Sequence, residues 1–445
     1  MASKKDLIDA QVFSRRRLLT AFTSGAVGTK EMEPVKPLRP VIVGLALTVL
    51  IVIGGLFYGF LSPGIPNDWQ DNRLVIAKDT GARYVSSGGV LYPVLNTASA
   101  RLMIPAGQFA VVNTSSGQLS KIEIGPAMGI VGAPDQLPST KSLLNTGWAS
   151  CLDDDGAPTV TIAKTPPARA TSTAVVVRSS TGDVYVVAGK HHYLVAPGSQ
   201  DAVLRALGLG GAAIIDVDDR WLNLFMLGTP LGPIVVADDG RPVPGTSLTT
   251  GQVIHQTGDP ADRRYLVLED GLAEISPLAY QLYLQGTGMR MGEAREVSPA
   301  DVQALKNVTN TYQATDWPRT TPERLTDARP CALSGVDTLG TATTTLAATT
   351  RPVQNSPVVV DRGAGAVVWA QGRGDEAAGS AYVIDATGTA FPVNLADDAL
   401  KRLGYDLDEV GFIDAGWIDL LQVGVTLSVA AASQPSTGTS PSPAP

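Results

Sequence analysis

Residues 41–61, VIVGLALTVLIVIGGLFYGFL, run for 21 positions without a charge, and the rest of the chain is arranged around them. At a rise of about 1.5 Å per residue such a helix is about 30 Å long, the thickness of a bilayer's hydrocarbon core. The stretch is predicted to be a transmembrane helix. Its flanks set the orientation, because basic residues beside a span favour the cytoplasm. Lys4, Lys5, Arg15, Arg16, Arg17, Lys30, Lys36 and Arg39 precede it, whereas SPGIPNDWQDNR after it holds Arg73 alone with Asp68 and Asp71. The N-terminus is therefore expected inside and about 380 residues outside. A cleaved signal peptide would have a shorter apolar stretch and a small-x-small site, which Gly54 to Gly64 does not offer. The run Ser14–Leu19 has the twin arginines of an export signal. More than 20 residues, including Glu31, Glu33 and three prolines, separate it from the apolar stretch, so residues 1–40 are read as a cytoplasmic segment. Leu7, Ile8, Val12, Phe13, Leu18, Leu19 and Phe22 make an amphipathic helix there.

The part beyond the span is long enough for two ordinary domains or one elaborate one. It is rich in Gly, Ala, Thr, Val and Pro, which predicts short strands and turns. A net charge of −8 gives no electrostatic footprint for nucleic acid. The two cysteines, Cys151 and Cys331, fall outside the expected membrane, where thiols oxidise, and are predicted to form a disulfide. Residues 433–445, SQPSTGTSPSPAP, have no apolar face to bury and are predicted to be disordered.

Four segments resemble one another, each with a Tyr in a β-rich run, a turn and a second apolar run. They are GARYVSSGGVLYPVL from Gly81, GDVYVVAGKHHYLVA from Gly182, DRRYLVLEDGLAEIS from Asp262 and GSAYVIDATGTAFPV from Gly379. A short helical stretch follows each: ASARLM from Ala98, DAVLRALG from Asp201, PLAYQLYLQG from Pro277 and DDALKRLG from Asp397. In the second and fourth, Asp begins the helix and Gly208 or Gly404 ends it. The expected unit is ββα plus a returning strand, with repeats near 74–135, 175–230, 262–318 and 379–428 inside a domain of residues 70–432.

The offsets are informative. Tyr84 matches Tyr265 and Asp135 matches Asp316 at 181, and the cysteines match at 180; Tyr185 matches Tyr382, and Trp221 matches Trp417, at 196 to 197. A repeat-Cys-repeat half written twice follows, with quasi-two-fold symmetry and the cysteines meeting near the pseudo-axis. TVTIAK from Thr159, TAVVVRS from Thr173 and SPVVVDRGAGAVVWA from Ser356 are expected to supply strands to a shared centre. Tyr84, Tyr185, Tyr265, Tyr382, Trp221 and Trp417 are the expected anchors of the repeats, and Trp148 is read as a core residue with them.

GARYVSSGGVLYPVLNTASARLM from Gly81, GIVGAPDQLP from Gly129, WASC from Trp148 and AQVFSRRRLLTAF before the span resemble the EccB family, a conserved component of actinobacterial type VII (ESX) secretion systems. Residues 25–40, with Pro34, Pro37 and Pro40, depart from the arginine-rich pattern of that family. The resemblance implies a bitopic inner-membrane protein with an elongated α+β, β-rich extracytoplasmic domain of four repeats around a central β domain. It also implies a non-enzymatic core subunit that assembles with an EccC-type ATPase, EccD, EccE and the mycosin protease, and self-associates in a hexameric-type complex.

Some relatives carry an ATPase label, yet no phosphate loop is found. GAVGTKE from Gly25 lacks the spacing, with Glu31 at the hydroxyl position, and His191 stands there after Gly189 and Lys190. G-x-S-x-G, S-x-x-K and H-E-x-x-H are missing too. His191 and His192 are placed in a solvated turn, Asp153–Gly156 in a solvated acidic turn without the alternation of a calcium loop, and Arg373-Gly374-Asp375 is taken as a chance match to an adhesion tripeptide. No catalytic residue, metal or cofactor is expected. An independent anchored receptor and an extracytoplasmic nucleoside triphosphatase are the competing functions.

Overall fold

The structure is a computed structural model describing residues 3–24, 38–61, 65–353, 356–372 and 379–436. It separates into two units, Met1–Gly64 and Ile65–Pro445. The first holds helices α1 (Lys4–Ser24) and α2 (Leu38–Leu61). The apolar stretch lies in α2, whose side chains are described from Pro40 to Gly55 only. Among the described residues no helix is long and apolar enough to cross a membrane.

The second unit is built from four small sheets and a central one. The first sheet contains β1 (Arg73–Ala77), β2 (Arg83–Ser87), β3 (Val90–Pro93) and β4 (Ala110–Thr114), in the order β3-β2-β1-β4. Helix α3 (Thr97–Met103) connects β3 to β4, and α4 (Ser116–Leu119) follows β4. Strands β5 (Ala149–Leu152), β6 (Pro158–Ile162) and β7 (Arg169–Ala170) then leave for the central sheet. The second sheet has β8 (Ala174–Arg178), β9 (Val184–Ala188), β10 (His191–Val195), β11 (Ile214–Asp216) and β12 (Met226–Leu231), with α5 (Gln200–Ala206) and α6 (Asp219–Leu222).

The third sheet has β13 (Val253–Gln256), β14 (Arg264–Leu268), β15 (Gly271–Ile275), β16 (Arg295–Val297) and β17 (Asn307–Val308). Its helices are α7 (Pro277–Leu284), α8 (Gly288–Met291) and a 3-10 turn, Pro299–Val302. After the central strands β18 (Arg329–Val336), β19 (Ala342–Thr349) and β20 (Val358–Val360) come β21 (Ala366–Gln371), β22 (Gly379–Ile384), β23 (Thr389–Val393), β24 (Gly411–Asp414) and β25 (Gln422–Val423) of the fourth. Helix α9 (Ala399–Leu403), a 3-10 turn Ala415–Leu420 and α10 (Val429–Ala432) complete the described chain.

Sheets two, three and four share one plan. Three strands form an antiparallel meander, and an outer strand runs parallel to each flank, as β11 beside β8 and β12 beside β10. In the first sheet the fifth strand is reduced to the parallel bridges Leu91–Ile124 and Val94–Met128. The expected unit of two strands, a helix and a return therefore lacked its first strand. TAVVVRS contributes β8, and AVVWA contributes β21, to their own sheets, whereas TVTIAK and the first valines of SPVVV enter the centre. A fully apolar strand is buried on both faces in either place, so composition could not separate the two destinations.

The pleat explains the burial. On β9, Val184, Val186 and Ala188 face α5 and α7, while Tyr185 and Val187 face the centre. Helices α5 and α7 pack together under sheets two and three, and α3 and α9 do so under sheets one and four. Arg101 of α3 donates to Leu403 O at the end of α9 (3.1 Å), and Arg402 of α9 donates to Leu102 O of α3 (3.1 Å). Each arginine thus satisfies carbonyls that the other helix leaves open at its C-terminus. Gly208 (φ 73°) and Gly404 (φ 100°) adopt the left-handed conformation expected at helix ends. The aspartates do not cap as expected: Ser199 precedes α5, and Asp397 and Asp398 are themselves left-handed before α9. Disorder expected from residue 433 does not begin there. Gly129 N–H donates to Gln434 O and Ser436 N–H to Ala127 O, while residues 437–445 lie outside the described residues.

Candidate functional site

The central sheet has the order β20-β6-β5-β18-β19-β7. Read from either end it is the same arrangement: hairpin β5-β6 corresponds to hairpin β18-β19, and the two meet antiparallel along β5 and β18. Cys151 and Cys331 are direct cross-strand partners at that seam and form the disulfide, with Cα atoms 4.0 Å apart. Both are buried. The outer strands cross over, because β7 of the first half pairs with β19 and β20 of the second pairs with β6. The pairing is antiparallel for β7 and parallel for β20, so the correspondence is approximate.

The turns of the two hairpins repeat the same chemistry. Asp153 accepts from the N–H groups of Asp155 (2.9 Å) and Ala157 (2.8 Å), and Asp337 accepts from those of Leu339 and Thr341 (both 2.9 Å). Gly156 and Gly340 follow with φ of 79° and 82°. An aspartate folding back on its own turn makes an Asx turn and leaves no alternating ligand set for calcium. Asp154 and Asp155 of the acidic turn are exposed, as a solvated turn requires, and Asp154 pairs with Arg329 (2.7 Å) while remaining 87% exposed; only Gly156 is buried, against Asp216 O.

The tyrosines and tryptophans named as anchors lie on four of the sheets or against them. Tyr84, Tyr185, Tyr265 and Tyr382 all sit half-buried on the middle strand of a meander, on the face away from α3, α5, α7 or α9. Burial raises the pKa of Tyr185, Tyr265 and Tyr382. That face is closed by Leu119, Trp221, Val302 and Trp417 respectively. Trp221 and Trp417 are fully buried in the central core with Trp148. Trp221 Nε1 donates to Ser150 O (3.0 Å), Trp417 Nε1 to Thr344 Oγ1 (3.0 Å) and Trp148 Nε1 to Leu144 O (2.7 Å). Sheets two and four therefore turn this face to the central sheet and carry Trp, whereas sheets one and three close small cores of their own with Leu or Val.

Asp135 and Asp316, matched by their offset, do different work. Asp135 pairs with Arg83 and accepts from Thr97 N (3.0 Å) and Oγ1 (3.2 Å); these contacts, Arg83 foremost, hold its carboxyl below the usual range. Asp316 clamps Thr229 of β12 through N–H (2.7 Å) and hydroxyl (2.9 Å). Burial pushes the Asp316 carboxyl up, but those two bonds prevail and leave it lowered. Ala98 N–H at the start of α3 donates to Pro134 O and Leu278 N–H at the start of α7 donates to Arg319 O, so the residue beside α7 comes about four positions later than an offset of 181 from Pro134.

His191 and His192 begin β10 rather than occupying its turn, and His192 is buried with its ring 5.4 Å from Tyr185. His191 lines a cleft of about 310 Å³ with Lys190, Tyr193, Asp316, Pro318 and Pro322. Burial lowers the His191 pKa, Asp316 opposes that, and Lys190 adds to it. Tyr193 Oη donates to Asp316 O (2.6 Å). Gly189 and Lys190 form a hairpin turn, not the strand-to-helix loop that cradles phosphate. No cluster of three metal-ligating side chains occurs among the described residues. GAVGTK and Arg373-Gly374-Asp375 fall outside the described residues. Sequence gave no sign of Asn145, which accepts from Val367 N (2.8 Å) and donates to Glu409 O (2.6 Å), joining the centre to the fourth sheet. No local pattern marks a lone loop asparagine as a bridge.

These elements define a disulfide-closed, β-rich module in which sheets of one plan surround a seam of matched halves. The chain belongs to the EccB family, described as "Type VII secretion system ESX-1, transport TM domain B", whose profile matches residues 1–440. It is 30% identical over 330 residues to the ESX-5 secretion system ATPase EccB5 of Mycobacterium marinum, covering 66% of this chain and 61% of that one. It is also 30% identical over 318 residues to the ESX-2 secretion system ATPase EccB2 of Mycobacterium tuberculosis, covering 67% and 62%. The chain thus spans about three-fifths of the length of these relatives. Among solved structures, a chain in an intact ESX-5 inner membrane complex matches with a TM-score of 0.68 at 23% identity, covering 100% of this chain and 98% of that one. The EccB3 dimer of the ESX-3 core complex matches with a TM-score of 0.66 at 20% identity, covering 81% and 99%.

Proposed function

We propose that the chain is a structural core subunit of a type VII secretion membrane complex, anchored once in the inner membrane through residues 41–61, with residues 1–40 cytoplasmic and the module from residue 70 extracytoplasmic. Full-length correspondence with a chain of an ESX-5 inner membrane complex carries this reading, together with the family match over residues 1–440. A single span cannot enclose a path for a protein, so such a subunit acts through what it assembles with. An EccC-type ATPase, EccD, EccE and a mycosin protease are the proposed partners, in a hexameric-type assembly. The shared strand plan of the four small sheets and the palindromic order of the central one support four repeats from a duplicated half, with Tyr84, Tyr185, Tyr265, Tyr382, Trp221 and Trp417 as anchors.

The relatives' names include ATPase, and hydrolysis is the alternative. The geometry of this chain favours the structural role: Lys190 sits in a hairpin turn, and Asp316 beside it is committed to Thr229. The test is affinity purification of the tagged chain from gently solubilised native membranes with mass spectrometry of the associated proteins. Recovery of an FtsK/SpoIIIE-type ATPase and a multi-span subunit in one large particle supports the scaffold. A solitary chain under conditions that keep other envelope complexes intact overturns it.

A further inference from the structure

Helix α1 presents a large apolar surface that no described residue covers. Leu7, Ile8, Val12, Phe13, Leu18, Leu19 and Phe22 are 46–88% exposed on one 21-residue helix. At about 100° per residue, all but Phe13 fall within an arc of about 140°, a stripe wide enough to be buried on one side. Exposed Leu and Phe in such a row mark a contact surface.

The charges indicate its chemistry. Lys4, Lys5, Arg15, Arg16 and Arg17 outnumber Asp6 and Asp9 on the same helix. Lys5 and Arg16 border the arc, while Lys4 and Arg15 project from within it on stems long enough to snorkel to its edge. An apolar stripe bordered by Lys5 and Arg16, with Lys4 and Arg15 rising from its middle, fits a helix lying in the boundary of an anionic bilayer, where the apolar side chains meet acyl chains and the long cations reach up to phosphates. Chain geometry agrees. Only 13 residues separate Ser24 from Leu38, a reach of at most about 50 Å, so α1 is tethered close to the membrane face that α2 enters.

We propose that α1 docks in-plane on the inner leaflet, with Leu7, Ile8, Val12, Leu18, Leu19 and Phe22 inserted and Arg15, Arg16 and Lys5 on anionic headgroups. This rests on the proposed span of residues 41–61. The bilayer is preferred over a partner helix because the cations lie among and beside the apolar residues, where a helix groove would have to bury them.

Because Cys151 and Cys331 are disulfide-bonded and no other cysteine exists, a cysteine introduced into the full-length protein is its single reactive thiol. Leu19→Cys, Asp6→Cys and Val49→Cys are each labelled with an environment-sensitive fluorophore in nanodiscs of phosphatidylcholine containing phosphatidylglycerol. Quenchers are carried either at the headgroup or deep in the acyl chain. The proposal expects headgroup-depth quenching of the Leu19 label several-fold above that of the Asp6 label, from the opposite face. It also expects the effect to fall roughly five-fold for each arginine removed in R15Q and R16Q. Equal quenching of the two labels, or a Leu19 label shielded from water without lipid quenching, as under a protein partner, overturns it. The Val49 label separates the failures. Deep quenching there with no effect at Leu19 removes the docking alone, and no deep quenching there removes the span and the docking with it.

Discussion

Trp417 shows how one side chain serves two requirements. Its rings fill the core between the fourth sheet and the central one, and its indole N–H reaches Thr344 in β19. Trp417→Ala should cost about 3–5 kcal/mol in denaturant unfolding of the module, the range for emptying a buried aromatic site. Tyr382→Phe, on the same face but half-buried, should change stability by less than about 1 kcal/mol. Asp135 gives a pH prediction. Its carboxyl is held below the usual range by Arg83 and then Thr97, so its folded pKa is lower than its unfolded one. Its contribution is therefore complete above the ordinary carboxylate pKa of about 4 and is lost as pH falls through the folded value. The side chain is half-exposed, which keeps the effect below about 1 kcal/mol. Unfolding midpoints of wild type and Asp135→Asn should differ at neutral pH and converge below about pH 4.

Elements meet through contacts that neither supplies alone. Arg101 and Arg402 each donate to the end of the other's helix, so α3 and α9 depend on a pair of residues about 300 positions apart in sequence. Arg101→Ala and Arg402→Ala should each cost about 1.5–3 kcal/mol, the range for bonds to a charged donor. Gly404 ends α9 at φ 100°, and a Cβ there would lie 2.5 Å from Arg101 Nη1, whereas one on Gly208 at the end of α5 meets nothing within 4 Å. Both Gly→Ala changes pay for a left-handed backbone, about 1 kcal/mol, but Gly404→Ala should also disturb Arg101. Thermal melts of the two variants should therefore show the larger loss for Gly404→Ala. The four hairpins were legible because turn glycines and alternating strands are local signals. The strand that precedes each hairpin was assigned wrongly twice, since TAVVVRS and AVVWA carry no mark of which sheet they join.

At the scale of the molecule, the disulfide closes a loop of 180 residues at the seam between halves. In the chain-entropy account that constrains the unfolded chain by about 5 kcal/mol. Cys151→Ser with Cys331→Ser should lower the unfolding free energy by about 2–5 kcal/mol while far-ultraviolet circular dichroism stays unchanged, because β5 and β18 remain paired through their ladder. Loss of strand signal would mean that the seam needs the covalent bond to form at all. The apolar stretch, the cysteine pair and the four hairpins with their helices were determined by the sequence itself, because each is a property of composition, spacing or local turn chemistry. Only the tertiary structure decided that β7 and β20 cross to the opposite hairpin, that Asp135 holds Arg83 and Thr97 while Asp316 holds Thr229, and that sheets two and four face the centre while sheets one and three close their own cores. Those outcomes depend on which surfaces meet across long stretches of chain, and no local pattern of residues records that choice.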